Sequence, residues 1–294
     1  MQREKASLRL RSVIAHISTL PTLPAIASQV IELLQDPRTS IQKVANVISS
    51  DQSLTSAVLK LVNSAYYGFP RQISTVKHAL VILGFSEIRN ITFAISILRS
   101  FPGSKSSPSF DHREFWRHSI GCAVAAKMLA KFFRYRVSGK VFVAALIHDI
   151  GKILLSQYAR DLFEKVVEGV FSQGVSFYQA EKNILGVTHA EIGGWLASRW
   201  NFPQEIEESI RFHHLPFKAK IDPSLSAVVN LSDALVRLKS IGWSGDEKIF
   251  HPHPSVWKIL KSLRPDLDES YFEYFGTILE EEVKRAKPLF EIIR

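Results

Sequence analysis

The sequence predicts an all-α protein, and three observations carry that expectation. Apolar residues return at three- and four-residue spacing from Leu23 to Ile97 and again beyond Phe115, the period of a helix with one buried face. No stretch alternates apolar and polar residues strictly over five or more positions, as a half-buried strand would. Between the periodic segments lie short joints of Ser, Thr, Asp, Gly and Pro, the residues that start and stop helices.

The elements follow in order. Leu23, Ile26, Val30, Ile31 and Leu34 share one helical face after a start signal at Pro21 and Pro24. Thr39 or Ser40 can cap a helix over Ile41 to Ser49, and Ser50 or Asp51 one over Leu54 to Val62. Val76 to Leu83 should stop at Gly84, and Ser86 can cap a further helix through Ile91, Phe93, Ile95 and Ile97. The run from Pro102 to Ser109 is the clearest break in composition. Helical periodicity then resumes at Phe115, carrying His118, Val124 and Met128, and an apolar helix over Phe142 to Ile147 ends at His148-Asp149, where Gly151 should relax the backbone. A loop over Asp246 to Pro254 should lead to helices over Val256 to Leu263 and Tyr271 to Ile293. The expected divisions are an N-terminal helical bundle over residues 1–103, a second helical subdomain over 104–245 packed on it, and a helical tail over 246–294.

Bulk properties narrow the functional classes. With 46% hydrophobic and 22% charged residues, the chain of 294 residues has the composition of a globular protein, which excludes a disordered or rod-like molecule. The longest uninterrupted apolar run, Val141 to Ile147, is far short of the ~20 residues of a membrane span, so no membrane helix is expected. Met1-Gln2-Arg3-Glu4-Lys5 is followed by no apolar stretch, and a cytoplasmic location is expected. Cys122 is the one cysteine, so an internal disulfide is excluded, and its alanine and valine neighbours read as a buried small residue. The net charge of +9 comes from Lys and Arg interleaved with Asp and Glu. Two local clusters, Arg3, Lys5, Arg9, Arg11 and Lys131, Arg134, Arg136, Lys140, belong to no nucleic-acid module, so nucleic acid is not the expected partner.

The chemistry lies in an ordered set of side chains: His118, His148-Asp149, His189, His213-His214 and Asp233. Imidazole and carboxylate suit Zn, Mn, Fe or Ni, and a carboxylate can bridge two ions. One ion could take His118, His148, Asp149 and Asp233, and a second His189, His213 and His214 with Asp149 as the bridge. Two such ions lower the pKa of water toward ~7 and neutralise charge on a phosphoryl group, so phosphoester hydrolysis is the natural reaction. Lys152 falls one turn after Asp149, where it could meet a substrate phosphate or lie on the surface near a helix end. Glu114, four residues before His118, could orient that imidazole or be an exposed helix-start acid. For any one histidine, a role satisfied by backbone or water is the simpler reading; for the ordered set that reading weakens. His78, His112 and His253 fall outside the arrangement and read as surface or loop residues.

The order His118, His148-Asp149, Asp233 resembles the signature of the HD superfamily of metal-dependent phosphohydrolases over residues 110 to 240. More specifically, the chain resembles the HDOD family through Leu20-Pro21-Thr22-Leu23-Pro24, Asp51-Gln52-Ser53-Leu54-Thr55, Leu61-Val62-Asn63-Ser64-Ala65-Tyr66-Tyr67-Gly68, Ala79 to Gly84, Arg89-Asn90 and Phe115-Trp116-Arg117-His118-Ser119. That resemblance spans residues 15 to 240 and implies an HD-like second subdomain in a bacterial regulatory module tied to signalling. His148-Asp149-Ile150-Gly151-Lys152 with His189, His213 and His214 is also similar to the dinuclear pattern of HD-GYP phosphodiesterases, although Gly186 to Gly193 retains His189 without the Gly-Tyr-Pro tripeptide. The expectation is a signal-transduction module with a metal centre of two divalent transition ions and a signalling protein as partner. Its rival is a working phosphohydrolase on a nucleotide or cyclic dinucleotide. Asn63, Tyr66, Tyr67 and Arg89 could line a partner groove or pack and cap helices. Oligomeric state is not legible in the sequence.

Overall fold

Cap residues written into the sequence begin the first helices. Helix α1 spans Ala25–Gln35. Helix α2 over Ile41–Ser49 starts where Ser40 accepts from the Lys43 amide, and α3 over Gln52–Val62 where Asp51 accepts from the Leu54 amide, each cap satisfying a donor the helix itself cannot. Helix α4, Val76–Ser100, is capped by Thr75. It is interrupted at Gly84, whose φ of 79° and ψ of 166° suit a residue without a Cβ, and the helix kinks where the sequence predicts a stop. Helices α1, α2 and α3 all pack on α4.

The structure, a computed structural model, describes residues 25–35, 38–64, 67–101, 107–135, 138–248 and 251–291. Pro21, Leu23, Pro24, Tyr66, Arg136, Ile293, the basic residues near the start and most of the predicted break after Phe101 lie outside them. The described residues contain helices and no strand. Two compact units are present: one made of Gly103–Glu280, the other of Pro21–Pro102 with the segment from Glu281.

In the smaller unit, Asn63 fastens the loop between α3 and α4. Its Nδ2 donates to the Ile73 carbonyl at 2.7 Å, and the Ile73 amide donates back to Oδ1 at 2.7 Å. Tyr67 donates its hydroxyl to Glu87. These contacts account for both residues as clasps of the bundle.

The larger unit carries α5 (His112–Phe132), α6 (Ser138–Ile147), α7 (Ile150–Tyr158), α8 (Arg160–Gln173), α9 (Phe177–Ile184), α10 (His189–Arg199), α11 (Gln204–Phe212), a 3-10 turn at Pro216–Lys218, α12 (Pro223–Leu238), α13 (Ser255–Leu260) and, as far as Glu280, α14 (Tyr271–Arg285). A short α15, Lys287–Phe290, follows in the smaller unit. Helix α12 is buried without a break from Leu225 to Val236, because α5, α6, α11 and α13 cover it on different sides. This central helix and its neighbours bring the ligand-type residues together.

By length and mean hydropathy, Val76–Ser100 and Lys140–Tyr158 would pass as membrane spans, which a count of uninterrupted apolar residues does not register. The second is α6 and α7 joined through His148-Asp149, and 89% of its apolar window is buried inside the fold, as expected of core helices.

Candidate metal centre

Asp149 occupies the N-cap position of α7, yet its carboxylate makes no cap hydrogen bond. Aspartate at this position ordinarily turns back onto its own helix. Here the turn His148-Asp149 between α6 and α7 delivers both side chains into the core, 0% and 1% exposed. Gly151 serves a purpose other than the expected loosening of the backbone. It lies within α7 without a positive φ, and a Cβ there would stand 2.1 Å from the His189 carbonyl oxygen, so glycine lets α7 and α10 touch.

Each predicted ligand comes from a different structural device. His118 lies on the buried face of α5 and Asp233 on α12. His189 opens α10 behind a capping box in which Thr188 and Glu191 satisfy each other's backbone donors. His213 is the C-cap of α11, and the Asn230 side chain from α12 donates Nδ2–H to its carbonyl at 2.7 Å. His214 follows directly.

All seven predicted ligands converge. The Asp149 carboxylate stands at the middle: Oδ1 is 3.0 Å from His189 Nε2 and 3.7 Å from His213 Nε2, while Oδ2 is 3.4 Å from His148 Nε2 and 3.9 Å from His118 Nε2. His118 Nε2 is 3.1 Å from Asp233 Oδ1, and His214 Nε2 is 3.0 Å from His189 Nε2. Ligand atoms of His118, Cys122, His148 and Asp233 lie within 4.8 Å of one another, as do those of His189, His213 and His214, and those of His148, Asp149 and His213. These clusters are capable of coordinating a metal ion.

Hydrogen bonds at the outer edge turn the imidazoles inward. His148 Nδ1 lies 2.7 Å from the Ala145 carbonyl and His213 Nδ1 2.7 Å from the Ile210 carbonyl. A carbonyl only accepts, so both rings carry a proton on Nδ1 and turn Nε2 toward the cluster. His148 Nε2 is buried with no hydrogen-bond partner. A buried polar atom left without a partner costs about 1–3 kcal/mol, which a cation bound at Nε2 would relieve. The donor set and its orientation thus fit a transition metal.

Electrostatics hold most of these groups, His189 excepted, in the form a metal would need. Burial alone would raise the Asp149 carboxyl, but His148, Lys152 and His189 around it hold it well below the usual carboxylate range. Asp233 behaves likewise, with Arg237 and His118 outweighing burial. Burial and neighbouring imidazoles push His213 and His214 well below the ordinary histidine range, so both are neutral. His189 is pushed up: burial lowers it, but Glu181 and then Asp149 more than compensate.

Several supporting residues were not anticipated. Glu181, fully buried on α9, has Oε2 2.6 Å from His189 Nδ1, the arrangement by which a carboxylate fixes a metal-binding imidazole. Arg237 contacts Asp233 at 3.2 Å and Asp246 at 2.8 Å. Cys122, buried as its neighbours imply, has Sγ 3.4 Å from His118 Nε2. Burial, Asp233 and Asp149 push its thiol well above the usual range. The Asp233–Arg237 and His118–Cys122 pairs are separated by four residues on a helix, a signal present in the sequence. Glu181 and Asp246 bear no such spacing to their partners.

Lys152 is neither a surface lysine nor an unpaired point charge. Only 2% exposed, its ammonium donates to Asp149 Oδ2 at 2.6 Å and to the Ser244 carbonyl at 2.6 Å. Glu114 is half-buried, pairs with Arg117 at 3.4 Å and does not reach the cluster, so its side chain is the helix-start acid. His112 accepts from the Trp116 indole, and His253 pairs with Ser255. A cavity of about 380 Å³ adjoins the cluster, lined by Lys152, Tyr178, His189, His214, Arg237 and His253 among others. It is of the size that small-molecule sites have.

Comparison with known proteins agrees with this architecture. A protein of Geobacter sulfurreducens, solved as an HDOD domain protein with unknown function, superposes with a TM-score of 0.84 at 27% identity, over 98% of each chain. A Shewanella amazonensis structure provisionally named a phosphohydrolase gives a TM-score of 0.73 at 20% identity, over 96% of this chain and 98% of that one. One of Marinobacter aquaeolei, provisionally named a signal transduction protein, gives 0.77 at 21% identity, covering 100% of this chain and 66% of that one. Those two likenesses establish the fold. An uncharacterised protein of Treponema pallidum is 24% identical over 228 residues, 77% of this chain and 44% of that protein, so the chain spans less than half the length of this curated relative. The HDOD domain model matches residues 20–216, two thirds of the sequence and all but one of the predicted ligands, and the chain belongs to the HDOD domain family.

Proposed function

We propose that this chain is a cytoplasmic, bacterial signal-transduction module whose HD-type cluster holds two divalent transition ions and whose output is contact with a signalling protein. The observation that carries the metal reading is the inward-facing, orphaned Nε2 of His148 beside the Asp149 carboxylate. His118 and His148 approach Oδ2 of Asp149, and His189 and His213 approach Oδ1; Asp233 joins through His118 and His214 through His189. When bound, the ions would supply Lewis-acid activation of water and neutralisation of phosphoryl charge. The residues themselves orient the ligand lone pairs, exclude water from the cluster and keep Asp149 and Asp233 ionised.

The regulatory reading is supported by membership of the HDOD family and by Lys152, which already neutralises one Asp149 oxygen inside the core. Elemental analysis of the purified chain beside His148→Ala, Asp149→Ala and His213→Ala tests the centre. Near two ions per chain, lost in the variants, is the expected result; none after reconstitution sinks it. Partner capture with wild type and Asp149→Ala then tests the output: equal signalling by both would make the metal incidental.

A second reading is favoured by the cavity at the cluster, where Lys152 and Arg237 offer cations to a nucleotide or other phosphoester. It predicts metal-dependent turnover lost in Asp149→Ala. A broad phosphoester panel with several reconstituted metals and no hydrolysis would count decisively against it.

A further inference from the structure

Cys122 follows His118 by four residues on α5, so helical geometry sets both side chains on one face. Its Sγ lies 3.4 Å from His118 Nε2, and His118 Nε2 lies 3.1 Å from Asp233 Oδ1. Ligands around a tetrahedral zinc at 2.0–2.3 Å stand about 3.3–3.8 Å from one another. Cys122 Sγ and His118 Nε2 already stand at that separation, and the whole set His118, Cys122, His148 and Asp233 lies within 4.8 Å. A second, independent observation points to a ligand here: His148 Nε2 is fully buried, faces the set and has no hydrogen-bond partner.

Asp149 Oδ2, the oxygen nearer His118 and His148, also accepts from Lys152 at 2.6 Å, so its charge is partly neutralised before any ion binds. Asp149 Oδ1 faces His189 and His213 instead.

We propose that Cys122 is a metal ligand, joining His118, His148 and Asp233 in a thiolate-containing subsite selective for zinc over manganese or magnesium. This rests on the reading of the cluster as a metal centre and makes its two halves chemically unlike. On binding, the Cys122 S–H bond breaks, the sulfur electron pair forms the bond to the ion, and the proton leaves to solvent; no oxidation state changes. Thiolate favours zinc and disfavours manganese and magnesium, which prefer oxygen. The two anionic ligands, Cys122 and Asp233, balance the charge of one divalent ion. The remaining set of Asp149, His189, His213 and His214 offers only nitrogen and oxygen.

Cobalt(II) added to the metal-free full-length chain tests the assignment by absorption spectroscopy, without any assay of activity. A near-ultraviolet thiolate-to-cobalt charge-transfer band is expected in wild type and absent in Cys122→Ser. Zinc affinity in that variant should fall by at least the ~10-fold that loss of a supporting partner costs, with manganese binding unmoved. Cobalt bound by wild type without the band overturns the Cys122 assignment and leaves the metal centre standing. No cobalt or zinc bound by wild type overturns both. The wild-type spectrum decides even where a cysteine variant fails to fold.

Discussion

The Glu181 carboxylate and the His189 imidazole meet at 2.6 Å in a pocket where neither side chain is more than 1% exposed. Glu181 takes the Nδ1 side of the ring, which leaves Nε2 pointing at Asp149 Oδ1, 3.0 Å away. In the metal-free protein a protonated His189 can bridge the two carboxylates; with Nε2 deprotonated, it is a ligand held in one orientation. Glu181→Gln keeps the shape and removes the charge. Metal affinity on the His189 side should fall by about 10- to 100-fold, the usual cost of losing such a partner. Competition with a chelator measures it, and an unchanged affinity would show that Glu181 merely packs.

Lys152 and Asp149 form a buried ion pair, 2% exposed on both sides. Removing one member of such a pair leaves an uncompensated charge and costs about 3–5 kcal/mol. Lys152→Met should therefore destabilise the metal-free chain by roughly that amount, and zinc should restore much of it because a cation again faces Asp149. The double variant Lys152→Met with Asp149→Asn should be more stable than Lys152→Met alone. Denaturant titration with and without zinc reads all three; a neutral Lys152→Met would place the stabilising partner of Asp149 elsewhere, on His189.

Gly151→Ala tests the contact between α7 and α10. The added Cβ would meet the His189 carbonyl carbon at 2.8 Å as well as its oxygen at 2.1 Å, and backbone cannot swing aside as a side chain can. A loss of about 1–3 kcal/mol is expected from overpacking, together with weaker metal binding because His189 moves. Gly174→Ala serves as a contrast: nothing stands within 4 Å of its Cβ, and its left-handed φ of 59° makes the cost one of backbone strain alone. Equal metal affinity in the two variants would refute the coupling of Gly151 to the site.

Local signals made much of the fold legible. Ser40 and Asp51 cap the helices they were expected to start, and the apolar periods become buried faces. The ligand set was legible because histidine and aspartate carry their chemistry wherever the chain places them. Glu181 was not, since it reaches His189 through the packing of α9 near α10 and shares no helical spacing with it. Lys152 was visible as a residue but not as a buried ion pair, because the Ser244 carbonyl that shares its ammonium arrives from 92 residues away. Gly151 was misread for the same reason: the His189 backbone that demands it is brought by tertiary contact.

The histidines whose values the fold depresses, His213 and His214 most strongly and His118 in the same direction, give the metal-free protein a pH dependence with a definite sign. In the unfolded chain His213 and His214 titrate near the ordinary histidine value of about 6.5. In the fold, burial first and then the neighbouring imidazoles depress both well below it. Between the two values the unfolded state binds more protons than the native state, so stability rises with pH there. Their contribution is complete above about 6.5 and is lost as pH falls through the folded values. His189, whose folded value is raised, acts oppositely: its contribution is complete below the ordinary value and fades as pH climbs through the raised one. Asp149 and Asp233, depressed in the fold, add a further loss only once pH drops below the carboxylate range near about 4. Denaturant midpoints from pH 8 to pH 4 should therefore fall on acidification, and His214→Gln, which removes one of the depressed groups, should flatten the slope in that window. A midpoint that rises on acidification would mean that protonation of His189 against Glu181 and Asp149 outweighs the pair, and that the cluster without metal is held together by that one imidazolium.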